Sequence, residues 1–108
     1  MTVKELSLAA DLKIISCPDG AREVNGAYAG DLLSWVMGRA KADSAWITIM
    51  SNINVIAVAS LADVACVILA EGVVPEDEII KTAEQKEINI LSSSLPIYET
   101  AVKISGIL

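Results

Sequence analysis

Three short runs in the second half of the chain are almost entirely apolar: Ala45–Met50, Val64–Ala70 and Ile88–Leu91. Each gives way to a polar break and then to a stretch with helical spacing. Strands buried on both faces read this way, and such strands belong to parallel sheets whose crossovers are helices. The first half carries weaker versions of the same units. Thr2-Val3-Lys4-Glu5 has the spacing of a capping box and predicts a helix over Val3–Ala10. Lys13–Cys17 and Val24–Ala29 read as strands, separated by the turn signal Pro18-Asp19-Gly20. Asp31 is placed to cap a helix over Leu32–Ala40, with Leu32, Leu33, Val36, Met37 and Ala40 at helical spacing.

Beyond the third strand, Asn52 is placed to cap a helix over Ile53–Ala62. The helix over Glu76–Lys86 opens on acids and carries lysines later, in register with its dipole. Ser92-Ser93-Ser94 leads into a last helix over Leu95–Ile104, with Pro96 in its first turn. The expectation is a single three-layer α/β domain spanning residues 1–108, with a mostly parallel sheet of about five strands. The eighteen residues Ile53–Ala70 approach the length of a membrane span. Asp63 within them would cost about 3 kcal/mol on insertion. We read the segment as a buried helix followed by a buried strand, with no membrane role.

Composition sharpens this picture in one respect. Hydrophobic residues make up 54% of the chain and aromatics only 4%, so the core is aliphatic, built from Ile, Val, Leu and Ala. Trp35 and Trp46 read as core or interface packing. The net charge is −6, and no Lys/Arg cluster exists, so nucleic acid is excluded as a partner. The N-terminus lacks a basic segment followed by an apolar block, and Cys17 and Cys66 read as reduced thiols; both fit a cytoplasmic location.

Candidate chemistry is sparse. The chain contains no His, which removes Ser-His, Cys-His and His-metal arrangements together. No G-x-x-x-x-G-K-[ST] string occurs, so there is no P-loop nucleotide site. Asp19, Glu23, Asp31 and Glu71 show no spacing that pairs carboxylates for acid-base work. No metal site and no cofactor are expected. What the pattern does offer is one edge. In open α/β sheets ligands sit beyond the carboxyl ends of the strands. Those ends carry Asp31, then Ser51, Asn52 and Asn54, then Gly72, then Ser92, Ser93 and Ser94. Hydroxyls, amides and helix-opening N–H groups suit a small anionic or nucleotide-like ligand.

The segments VNGAYAGDLL (Val24–Leu33), AWITIMSNINVIAVASL (Ala45–Leu61), ACVILAEGVVP (Ala65–Pro75) and INILSSS (Ile88–Ser94) follow one another in an order that resembles the DRTGG domain. The Asp31-Leu32-Leu33 step and the Asn54–Leu61 stretch are its most specific parts. The string that names the family is absent, and Glu71-Gly72 stands where the family pattern has a Gly-Gly pair. The resemblance implies a fold similar to the N-terminal domain of HPr kinase/phosphorylase. It also implies a regulatory or ligand-sensing role, because kinase chemistry in such proteins resides in a separate P-loop domain. The leading expectation is therefore a non-catalytic regulatory module that forms a homodimer. An interaction subunit or assembly factor of a larger metabolic complex is the second reading. A small enzyme acting on a phosphorylated metabolite through Asp31 and the serines is the third.

Overall fold

A computed structural model describes the whole chain, Met1–Leu108. Its elements run α1 (Val3–Ala9), β1 (Lys13–Ser16), β2 (Ala27–Ala29), α2 (Leu33–Arg39), β3 (Ala45–Thr48), α3 (Ile53–Ala62), β4 (Cys66–Leu69), α4 (Asp77–Gln85), β5 (Ile90–Ser92) and α5 (Ile97–Ser105). The five strands form one sheet in the order β1-β5-β4-β3-β2. Strands β2 to β5 run parallel, and β1 joins β5 antiparallel with a register shift between Ile14 and Ser16.

The apolar runs occupy the sheet centre for the reason their pattern suggests. Every residue of β3, β4 and β5 is buried. Ile47, Cys66, Ile68 and Leu91 point into a core shared with Val3 and Leu6 of α1 and Ile104 of α5. Trp46, Val67, Leu69 and Ile90 point to the other side, against Val36 of α2, Val55, Ile56 and Ala59 of α3 and Ala83 of α4. Two helices therefore cover one face and three cover the other, which is the three-layer α/β arrangement. Each Val, Leu or Ile withdrawn from water this way contributes roughly 1.5–3 kcal/mol.

Local signals act as read at two places. At α1, Thr2 N–H donates to Glu5 Oε1 at 2.8 Å and Glu5 N–H to Thr2 Oγ1 at 3.1 Å, a reciprocal capping box. The apolar segment after Met50 divides into α3 and β4. The break falls at Asp63, which ends the helix in the left-handed region at φ 56°. No helix is long and apolar enough to cross a membrane.

Several boundaries differ from the expectations, and three of the differences bear on the sheet's edge. The second strand begins at Ala27, not Val24, because Val24 N–H is taken by Met1 O and Asn25 N–H by Asp43 O. Gly26, at φ 82°, then turns the chain into β2. Asp31 does not cap α2: Leu32 holds the cap position and makes no side-chain bond. The Asp31 carboxylate is instead drawn across to β3. The third difference is at the end: Ser92 lies inside β5, and α5 starts only at Ile97, after Pro96.

Candidate functional site

Because β2 to β5 are parallel, their carboxyl ends share one edge of the sheet. Gly30-Asp31 follows β2, Ile49–Asn52 follows β3, Ala70–Gly72 follows β4, and Ser93-Ser94 follows β5. All eight candidate residues therefore lie at or within a few residues of this edge, but the structure commits them differently.

Asp31 ties the β2 and β3 ends together. Its Oδ1 accepts from Thr48 Oγ1 at 2.7 Å and from Ile49 N–H at 3.0 Å. Thr48 is fully buried, and a buried hydroxyl without an acceptor is costly, which explains why Asp31 serves it rather than α2. Thr48 Oγ1 in turn accepts from Met50 N–H at 3.2 Å, shaping the loop that reaches Ser51. The sequence signal for Thr48 is a lone polar residue closing an otherwise apolar strand.

Asn52 caps α3 as its position suggests, accepting from Asn54 N–H at 2.9 Å through Oδ1. Ser51 is half-buried, and Asn52 and Asn54 are exposed. The N–H groups of Ser51, Asn52 and Ile53 have no acceptor within the chain. A groove of about 410 Å³ opens here, lined by Ser51, Asn52 and Ile53 on one wall and Val74, Glu76 and Ile79 on the other. The helix start at Glu76, acidic and therefore unsuited to an anion, is thus the groove's second wall.

Gly72 and the serines form a second, tighter cluster. Glu71 and Gly72 take φ of 63° and 68°, and Val73 N–H closes the turn onto Ala70 O at 3.2 Å. The glycine bears the left-handed conformation without a Cβ penalty. Glu71 N–H donates to Leu95 O and Gly72 N–H to Ser93 O, binding this turn to the β5 end. Ser93 is buried, its hydroxyl within 2.8 Å of Thr100 Oγ1, and it accepts from Leu95 N–H. Ser92 is buried, and its hydroxyl lies 3.4 Å from Val73 O. Ser94 alone of the three is exposed. Glu71 Oε2 accepts from Ile97 N–H at 2.9 Å, so an acid from the neighbouring turn occupies the first free N–H of α5.

The edge is accordingly split. Asp31, Ser51, Asn52 and Asn54 gather on the β2–β3 side, and Gly72, Ser92, Ser93 and Ser94 on the β4–β5 side. No groove joins the two sets. No three His, Cys, Asp or Glu side chains gather where they could hold a metal ion.

Trp46 is wholly buried, with Nε1 donating to Gly30 O at 2.9 Å. Trp35 is half exposed, and the Arg39 guanidinium lies 3.7 Å from its ring centroid. The cysteines are free thiols. Burial pushes Cys66 from an ordinary 9.0 up to about 12, and it also holds Cys17 above the ordinary value.

Comparison with known proteins is consistent with this fold. Residues 27–107 match the model of the DRTGG domain. No curated protein matches the chain. Among solved structures, the chain is similar to the CBS and DRTGG domains of the regulatory region of Clostridium perfringens pyrophosphatase, complexed with the activator diadenosine tetraphosphate. The TM-score is 0.74 at 12% identity, over 95% of this chain and 45% of that one. The chain thus spans less than half the length of that neighbour, and the likeness is one of fold. With the family model matching from β2 to the last helix, the chain belongs to the DRTGG domain family.

Proposed function

We propose that this chain is a non-catalytic regulatory module that senses a small anionic or nucleotide-like metabolite at the carboxyl edge of its sheet. The observation that carries this reading is family membership: a regulatory region containing this fold was solved with a dinucleotide polyphosphate activator bound. The geometry supports the β2–β3 side of the edge as the contact. Ser51, Asn52 and Asn54 are accessible, and three backbone N–H groups at the start of α3 have no partner in the chain. Helix openings of this kind favour negative charge, and the acidic Glu76 on the opposite wall of the groove confines an anion to the Ser51–Asn54 side. On the β4–β5 side, Ser94 and Gly72 are the accessible members, while Ser92 and Ser93 support the loop from within.

The module has no catalytic residues in this reading and works as a cytoplasmic homodimer. The interaction-subunit reading is favoured by one feature, the exposure of Leu32, Trp35 and Met37 around α2. A ligand screen separates the two. Thermal-shift measurement against nucleotides, diadenosine tetraphosphate and phosphorylated metabolites is expected to yield at least one stabilising compound. At a hundred times its dissociation constant such a ligand stabilises by about 2.7 kcal/mol. Amide shift changes should then fall at Ser51–Asn54 and Ser94. Changes confined to Val3–Ala9 or to α4 beyond Ile79 would overturn the site. Phosphate release from ATP by purified protein, lost in Asp31→Asn, would overturn the non-catalytic reading.

A further inference from the structure

The sheet has two outer strands, and they are treated differently. β1 carries an exposed lysine, Lys13, and an irregular register against β5, and α4 packs close to it. These are ordinary protections of a sheet edge against pairing with another chain. β2 also has a helix packed close to it, α5, but it has neither the charge nor the irregular register. Its sequence is Ala27-Tyr28-Ala29, without charge, proline or bulge, and Ala27 and Ala29 are exposed.

The hydrogen bonds to β3 show which backbone groups are spare. Gly26 O accepts from Ala45 N–H, and Gly30 N–H donates to Ile47 O. In a parallel ladder alternate residues face the neighbour, so Gly26, Tyr28 and Gly30 face β3. The N–H and C=O groups of Ala27 and Ala29 therefore point away from the sheet. Grooves flank this strand on both faces. One of about 360 Å³ lies between it and α5, lined by Ala27, Ala29, Ile47, Ala101 and Ile104. Two more lie on the α2 side, one reaching Lys41 beyond the amino end of β2 and one reaching Asp31 beyond its carboxyl end.

We propose that β2 is the interface through which two copies of this chain form a two-fold dimer, pairing antiparallel into one continuous sheet. The strand is self-complementary for this arrangement. With the axis at Tyr28, Ala27 of each copy faces Ala29 of the other. Both residues turn donor and acceptor outward, so the two pairs exchange N–H···O bonds on either side of the axis. Charge fits the same direction. Antiparallel pairing brings Lys41, at the amino end in one copy, towards Asp31 at the carboxyl end in the other, with Arg39 bordering both grooves, whereas parallel pairing would set Lys41 and Arg39 against their own copies. The small Ala27 and Ala29 side chains leave the α5-side groove open to the partner, and the exposed apolar residues Leu32 and Trp35 border the strand on the other face. The inference deepens the dimer reading above and does not depend on the ligand.

Sedimentation of the full chain at tens of micromolar should show a species of twice 11.4 kDa. Ala29→Pro removes an outward N–H from each copy, and Ala27→Lys gives the edge the charge it lacks. Each should weaken dimerisation by about tenfold or more, with far-UV circular dichroism unchanged. Tyr28→Cys supplies a readout that does not depend on destabilising anything. Residues facing each other at a non-hydrogen-bonded antiparallel position lie about 4.5 Å apart, within disulfide reach. Mild oxidation should give a covalent dimer from Tyr28→Cys and none from Leu8→Cys or from the parent. A monomer at all concentrations would overturn both this interface and the dimer reading. A dimer that resists both edge variants and gives no Tyr28→Cys cross-link would overturn the interface alone.

Discussion

The two ends of the parallel strands are built to opposite standards. At the amino end, side chains from distant segments are locked together. Asn89 Oδ1 accepts from Asp19 N–H, while its Nδ2 donates to Asp19 O and Ala65 O, all within 3.0 Å. Arg22 donates to Asp43 Oδ1 at 2.8 Å and to both Asp63 O and Asp63 Oδ1. Asp43 N–H donates to Asp63 O, so the turns before β3 and β4 are held to each other as well. At the carboxyl end the bonds are shorter in reach, and polar groups remain unpaired at Ser51–Ile53. The amino end spends its polar groups on holding the layers in place, and the carboxyl end keeps some of them free for a ligand. Open α/β sheets place binding at that end for the same topological reason.

Substitutions break this contrast in graded steps. Asn89→Ala should have the largest effect. It strands the buried Ala65 O and two partly buried backbone groups of Asp19, and we expect a loss of about 2–3 kcal/mol, read as a lower urea midpoint with unchanged m-value. A loss under half a kilocalorie would mean that the amino end is not the stabilising one. Arg22→Met should cost less, about 1–2 kcal/mol, because Asp43 and Asp63 are partly exposed and water compensates them. The cost should shrink in high salt.

At the carboxyl end, Asn52→Ala removes a cap and should cost about 1 kcal/mol while also abolishing any ligand-induced thermal shift. Ser94→Ala should leave stability within about 0.5 kcal/mol of the parent, so a changed ligand response there would report contact alone. If both variants retain the full ligand shift, the division of labour fails.

The buried thiol sharpens the comparison from the core. Cys66, in β4, holds its proton up to about 12 when folded, against 9.0 ordinarily, chiefly because burial penalises the thiolate. A raised folded value contributes stability that is complete below the unfolded value and lost as pH rises above it. Unfolding titrations should therefore lose stability between pH 9 and about 12. Cys66→Ala should flatten that limb. A thiol reagent at neutral pH should reach Cys17 well before Cys66.

What was legible in the sequence was what short-range chemistry controls. Short apolar runs with no alternation, bounded by polar breaks, read as strands covered on both sides, so the layer count followed from Ala45–Met50 and Val64–Ala70. Thr2 and Asn52 cap their helices because a cap bond spans a few residues and needs no distant partner. Asp31 shows where that reasoning stops. Its local position favoured a cap on α2, but a buried hydroxyl seventeen residues away, on Thr48, competes for the same carboxylate. The same holds for Glu71, which serves the N–H of Ile97 across the sheet edge.

The candidate site divides along this line. The sequence by itself determined that seven polar residues and Gly72 would lie at or near the ends of parallel strands, because strand direction follows from the helical crossovers. Only the tertiary structure decided which of them face water. Ser92 and Ser93 are as polar as Ser94, yet the later position of β5, which runs through Ser92, and the late start of α5 bury the first two and leave the third outside. The open β2 edge was equally out of reach of the sequence. Whether a short strand is central or outermost depends on the order in which strands assemble, and that order is set by the packing of whole helices rather than by any residue within the strand.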